Sequence, residues 1–282
     1  MLRLVLLTIG VTSCTYAAGV EPGTGSGSAD AALSDAALVD TTLVTPDGQS
    51  PVDAPPPLSC AAPDTAGLVL CLELDDPGLT TATDTSTHGH NAVISNVTVA
   101  NPARTVPAVS QAAQITPTSS IRIPDSSDFN AQKFTVMAWV HREALPATNT
   151  AYGLIDVGFQ YQMRIDDQSQ VICDLVSGGT AYAAVGNGVA LNEWDLVACT
   201  YDGAELCATV FRNGSANAMS GCMAWQKTVN MVPISGISIA DLITPIGSAT
   251  GVRLVGKLDS VRVFTRALTQ QQLCLAGGIT GC

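Results

Sequence analysis

The chain has 282 residues, 46 % of them apolar and only 13 % charged, a balance that supports a sizeable core and excludes a disordered chain. Lys plus Arg number 12 against 24 Asp plus Glu, a formal net charge of -12, so the chain has no electrostatic footprint for nucleic-acid phosphates or anionic membrane surfaces. Nine cysteines without a C-x-x-C pair or a Cys/His cluster of the zinc kind place it in an oxidising compartment.

The N-terminus agrees with export. Arg3 precedes a short apolar stretch, Leu4 to Val11, far too short to span a bilayer. Val11-Thr12-Ser13-Cys14 resembles the bacterial lipobox, an apolar residue and two small ones before a cysteine. That resemblance implies a signal peptide over 1–13, a lipid-modified Cys14 as first mature residue, and anchoring to the cell envelope. The alternative is an ordinary secretory signal that contains a Cys. Removing Cys14 leaves eight cysteines, an even number suited to pairing.

Residues 15–59 carry six acidic residues, no Lys or Arg, and a Gly/Ser/Ala/Asp/Pro-rich composition closed by Pro55-Pro56-Pro57. Such a segment is a self-repelling tether, reaching ~35 to 40 Å as a coil. From Cys60 to Cys282 short β-runs alternate with turn residues, which predicts an all-β sandwich or barrel. Residues 134–140 are apolar on both alternating faces and predict a central strand. Residues 194–201 and 206–211 form a pair joined by Asp202-Gly203. Asn213-Gly214 signals a second hairpin, and Gly178-Gly179 separates runs 170–177 and 180–186. Thr269 caps one short C-terminal helix over Gln270 to Leu273, stopped at Gly277-Gly278. Without β-α-β alternation, a parallel α/β fold is excluded.

Five blocks then resemble one family in the right order. They are DTSTHGHNAV (84–93), FTVMAWVHREALP (134–146), LNEWDLVACTYDG (191–203), ATVFRNG (208–214) and GKLDSVRVFTRALTQQQL (256–273). Together they resemble the laminin G-like, concanavalin A-like jelly-roll domains of bacterial surface proteins. The resemblance covers nearly all of 60–282. It implies two antiparallel sheets packed face to face, twelve to fourteen strands by a rough family count, adjacent first and last strands, and often a structural calcium.

Candidate sites follow from residue chemistry and that fold. Glucanases of the same fold carry Glu-x-Asp-x-x-Glu, and Glu73-Leu74-Asp75-Asp76 offers only its first half, with Gly78 in the third position. The expectation is therefore no enzyme. His88, His90 and His141 do not build a metal site by themselves, since His88-x-His90 lacks a third ligand. Calcium finds hard oxygen donors in Asp75, Asp76, Asp84 and Asp259, with Asp259 pairing Arg262 or Arg266 as the competing role. Carbohydrate binding needs aromatic platforms beside polar groups. Trp139 and Trp194 fall on family core positions, which leaves Trp225, Tyr152, Phe159, Tyr161 and Tyr182. Trp225 and Tyr182 are the favoured ligand-binding pair, with core burial of Trp225 as the alternative. The sequons at Asn96 and Asn213 carry no weight behind a bacterial lipobox.

Eight cysteines allow 105 pairings. A hairpin centred between Gly214 and Ser215 sets Cys207 opposite Cys222, where a bridge needs little adjustment. Cys173 and Cys199 share parity with apolar neighbours, so both should point inward and could meet in the core. Cys60–Cys71 and Cys274–Cys282 are the local choices, with crossed pairs between the chain ends left open. The resulting expectation is a non-catalytic, lipid-anchored surface protein whose jelly roll binds an extracellular glycan or protein. A structural or assembly role among envelope proteins is the alternative, with a degenerate glucanase-like hydrolase behind it.

Overall fold

Apolar runs of this length cannot bury both faces alone, so they pair into sheets and stack. In the computed structural model the described residues are 65–75, 80–100, 104–105, 108–109, 111–231, 236–242 and 250–282. The lipobox with Cys14, the tether, Cys60 and Asp76 lie outside them. In chain order come β1 (Leu68–Leu72), β2 (Thr81–Ala82), β3 (Ala92–Ser95), β4 (Thr98–Ala100), β5 (Arg104–Thr105) and β6 (Ala108–Val109). Next are β7 (Ala112–Ile115), β8 (Ser120–Ile123), β9 (Phe134–Arg142), β10 (Thr150–Val157), β11 (Tyr161–Asp166) and β12 (Gln170–Ser177). The rest are β13 (Thr180–Gly188), β14 (Trp194–Tyr201), β15 (Glu205–Arg212), β16 (Ala218–Ala224), β17 (Ile237–Ile239), β18 (Thr250–Arg253), β19 (Gly256–Phe264) and helix α1 (Gln270–Ala276).

One sheet of eight strands runs β16-β15-β14-β9-β19-β7-β4, with β1 also beside β19. The other, of nine, runs β13-β12-β11-β10-β17-β8-β3-β2, with β18 parallel to β10. The first and last strands are thus neighbours, Leu72 facing Val261. The strand number exceeds the family expectation because short pieces such as β2, β4, β17 and β18 extend the sheets.

The double-sided apolarity of β9 has two causes. Phe134, Val136, Ala138 and Val140 enter the core between the sheets. Met137 and Trp139 face the other way, into a second cluster with Leu268, Leu273 and Ile279. The C-terminal segment covers that outer face, and Trp139 Nε1 donates to the Gly277 carbonyl at 3.1 Å. Helix α1 opens with a capping box between Thr269 and Gln272, which satisfies two otherwise orphaned N–H groups. Gly277 caps its end and Gly278 takes the left-handed turn (φ 71°).

The turns form where their dipeptides stand. Gly178 and Gly179 both have positive φ, 55° and 78°, and set Ser177 opposite Thr180, the two-residue geometry that matches strand twist. Asp202 Oδ1 accepts the N–H groups of Ala204 and Glu205, both at 2.8 Å. Those donors hold its carboxyl below the ordinary value. In the next hairpin Phe211 faces Ala218 and Cys207 faces Cys222, and these cysteines are bridged with Cα atoms 4.1 Å apart. Cys173 of β12 joins Cys199 of β14 across the two sheets, Cα–Cα 5.6 Å. Cys274 joins Cys282, so these two do not take part in crossed pairing of the chain ends. Cys71 is disulfide-bonded too, to a partner outside the described residues.

Candidate functional site

Tyr182 on edge strand β13 and Trp225, just past edge strand β16, meet where the two sheets approach each other. Their ring centroids lie 5.2 Å apart at 59°, and Lys227 Nζ sits 4.7 Å from the Tyr182 ring centre. Both rings are half-buried and pack on the core by one side. The approach is possible because the crossing points lack side chains. A Cβ on Gly221 would lie 1.8 Å from the Val185 carbonyl oxygen, and one on Gly186 2.7 Å from that of Ala208.

The segment carrying Trp225 is fastened by partly buried polar contacts. Tyr201, at the end of β14, accepts the Lys227 N–H at 2.8 Å and reaches the Trp225 carbonyl at 2.8 Å. Trp225 Nε1 donates to the Ala183 carbonyl at 3.0 Å. Gln132 makes a reciprocal pair with the Val229 backbone, both bonds 3.0 Å. Two tilted rings with a cation across one of them, held by backbone contacts, can present apolar faces to sugar C–H groups and a donor to their hydroxyls. The sequence singled out the two rings. It gave no sign of Lys227 or of the anchoring by Tyr201, because both depend on β16 folding back against β13.

The remaining aromatic candidates divide. Tyr161 is fully buried, stacked on Phe134 at 4.0 Å, with its hydroxyl donating to the Phe129 carbonyl at 2.8 Å. Burial pushes its phenol well above the ordinary value. Tyr152 is nearly buried and lines an open groove of about 480 Å³ with Pro117, Pro146 and Val252. The one carboxylate in that groove, Asp241, is engaged by Arg122 at 2.8 Å and Arg253 at 3.3 Å. Phe159 is exposed at the β10–β11 turn. Trp194 lies half-buried against His141, 5.4 Å between ring centres.

Among the described residues, Asp75, Asp84 and Asp259, expected to converge on calcium, do not bring three ligand atoms within 4.8 Å of one another. Asp84 is buried, and both its oxygens are occupied: Oδ1 by the N–H groups of Cys71 (2.8 Å) and Ser86 (2.9 Å), Oδ2 by the Ser86 hydroxyl (2.8 Å) and the His90 N–H (2.7 Å). It therefore shapes its own loop. Asp259 is buried on β19 with the Ser260 hydroxyl 3.2 Å away, and Asp75 is exposed beyond β1. Ligand atoms of these three do not form a common cluster; among the described residues the clusters of three are His88/His90/Asp128 and Glu205/Cys207/Cys222. The latter contains a disulfide and has no thiolate to give. Glu73 is held by Arg262 at 3.4 Å and the Ser260 hydroxyl at 3.0 Å.

The histidine pair acquires the third group that the sequence did not supply. Because β3 runs antiparallel to β8, with Val93 facing Arg122, the loop before β3 and the turn after β8 share one end of the sheet. His88 Nδ1 and His90 Nε2 lie 3.0 and 2.9 Å from the same oxygen, Asp128 Oδ2. Asp128 stands 40 and 38 residues from them in sequence, so no local spacing could announce it. The two imidazoles hold its carboxyl below the ordinary value.

Comparison with known proteins agrees with this architecture. The family model described as the concanavalin A-like lectin/glucanases superfamily matches residues 116–274. Domain 4 of an extracellular GH43 arabinanase from Geobacillus stearothermophilus, solved with arabinotriose, superposes with TM-score 0.53 at 18% identity, over 75% of this chain and 98% of that one. The binding domain of botulinum neurotoxin DC, in complex with SialylT, gives 0.51 at 13% identity, over 75% of this chain and 51% of the other. A Trypanosoma rangeli sialidase mutant with trans-sialidase activity gives 0.51 at 19% identity, over 76% of this chain and 33% of that enzyme. No curated protein matches by sequence. With more than half its length matched by the family model and both sheets in place, the chain belongs to the laminin G-like branch of the concanavalin A-like lectin/glucanase superfamily.

Proposed function

We propose that this protein is an exported surface lipoprotein, anchored through Cys14, whose jelly roll binds an extracellular glycan without cleaving it. The observation that carries the reading is the meeting of Tyr182, on an edge strand of one sheet, with Trp225, just past an edge strand of the other, with Lys227 over the tyrosine. Similar domains solved with arabinotriose and SialylT support a carbohydrate as the ligand class. The half-motif Glu73-Leu74-Asp75-Asp76, with Gly78 in its third position, favours binding over hydrolysis, since a retaining site needs two carboxyls ~5 to 5.5 Å apart. The disulfides suit an oxidising extracellular setting.

A glycan array followed by calorimetry on the best oligosaccharide tests the reading. Trp225→Ala and Tyr182→Ala should each weaken binding at least about fivefold, the scale of ~1 kcal/mol for a lost ring contact. Unchanged affinity in both variants would move the site elsewhere on the domain. An array without any bound glycan would overturn the reading and favour contact with another envelope protein.

A further inference from the structure

We infer that His88, His90 and Asp128 form a binding site for a divalent transition-metal ion, with Zn²⁺ as the favoured occupant. Two imidazole nitrogens converge on one carboxylate oxygen, at 3.0 and 2.9 Å. Ligand atoms bound tetrahedrally at zinc's 2.0–2.1 Å are roughly 3.3 Å apart. Each nitrogen therefore needs to part from the carboxylate oxygen by only a few tenths of an ångström, and the two nitrogens already lie within 4.8 Å of each other. Each ring then carries its proton on the nitrogen that faces away, and the fourth position opens to water.

The set is held before any ion arrives. Gly89 (φ 71°) lets both neighbouring histidines turn to the same side. The buried Asp84 carboxylate takes the His90 N–H, and the Ser86 hydroxyl oxygen takes the His88 N–H at 3.2 Å. On the facing turn, Ser126 Oγ accepts the Asp128 N–H at 3.2 Å, and the His90 ring lies 4.7 Å from that of buried Phe129. Two nitrogen donors and one carboxylate suit zinc, copper or nickel, whereas calcium seeks six to eight oxygens. The side chains stay partly exposed, 35% for His88, 16% for His90 and 39% for Asp128, so an ion has an entry path.

The test is calorimetric titration of the untagged full-length chain with ZnCl₂ and, separately, CaCl₂, beside Co²⁺ titration read by visible absorption. One zinc per chain is expected, with zinc-dependent elevation of the melting temperature. His88→Ala and Asp128→Asn should each weaken zinc binding at least tenfold while leaving the zinc-free far-UV circular dichroism unchanged. His141→Ala, at the third histidine, should bind as the wild type does. Absence of zinc binding, or wild-type affinity in both His88→Ala and Asp128→Asn, would overturn the site, as would its loss in His141→Ala alone. Glycan binding by Trp225→Ala and Tyr182→Ala stands apart from these residues, so either proposal can fail without the other.

Discussion

Three carboxyls and one imidazole show how a position in this fold sets a proton affinity. Asp202 and Asp128 are held low by donors around them. Asp195 is pushed up by burial, although the N–H groups of Ala190 and Asn213 partly offset this. His141 on β9 is lowered, first by burial and then by the Lys257 charge, against a smaller opposing pull from Glu143. A histidine depressed below its unfolded value near 6.5 contributes stability that is present above that value and lost as pH falls through the folded pKa. The melting temperature should therefore drop on going from pH 7 to 5. His141→Gln, which cannot titrate, should flatten that portion of the profile. Parallel profiles for the two proteins would assign the drop to other groups.

At the scale of elements, the approach of β13 to β16 depends on glycine for space rather than for φ. An alanine at Gly221 has to displace the Val185 backbone, whereas one at Gly188 meets its nearest neighbour at an ordinary 3.5 Å. Gly221→Ala should cost about 1–3 kcal/mol, the usual toll of overpacking, and Gly188→Ala much less. Chemical unfolding of both variants checks this, and equal midpoints would mean that the strands part freely. Hairpins were legible from their dipeptides because each turn needs a positive φ at a particular residue, as at Gly178, Gly179, Gly203, Asn213 and Gly214. The bulge of β19 between Asp259 and Arg262, with Ser260 at φ 50°, left no such mark, because it answers to the strands on either side.

For the whole molecule, the Cys173–Cys199 bridge ties the nine-stranded sheet to the eight-stranded one through the core. Its loop spans 26 residues of sequence separation. The double variant Cys173→Ala/Cys199→Ala, which leaves no stray thiol, should lose about 2–5 kcal/mol in urea unfolding. Wild-type stability in that variant would mean that packing alone joins the sheets. Covering of the outer face of β9 by the C-terminal segment belongs to the same scale. It makes Trp139 the packed core residue that its family position implies, with its indole N–H satisfied.

The sequence by itself determined the all-β class, the hairpins, the capped C-terminal helix, the Cys207–Cys222 pairing and the inward direction of Cys173 and Cys199, whose bridge only the packing of the two sheets decided. Each depends on period-two patterning or on turn geometry, and both are written within a few residues or along a known register. The tertiary structure decided which polar residues meet. Asp84 became the keystone of its own loop, Asp128 crossed to the two histidines, and Lys227 came to lie over Tyr182. Side chains that meet across strands far apart in sequence share no local signal. Their encounter is fixed only when strand order and register bring two loop ends, or two sheet edges, into contact.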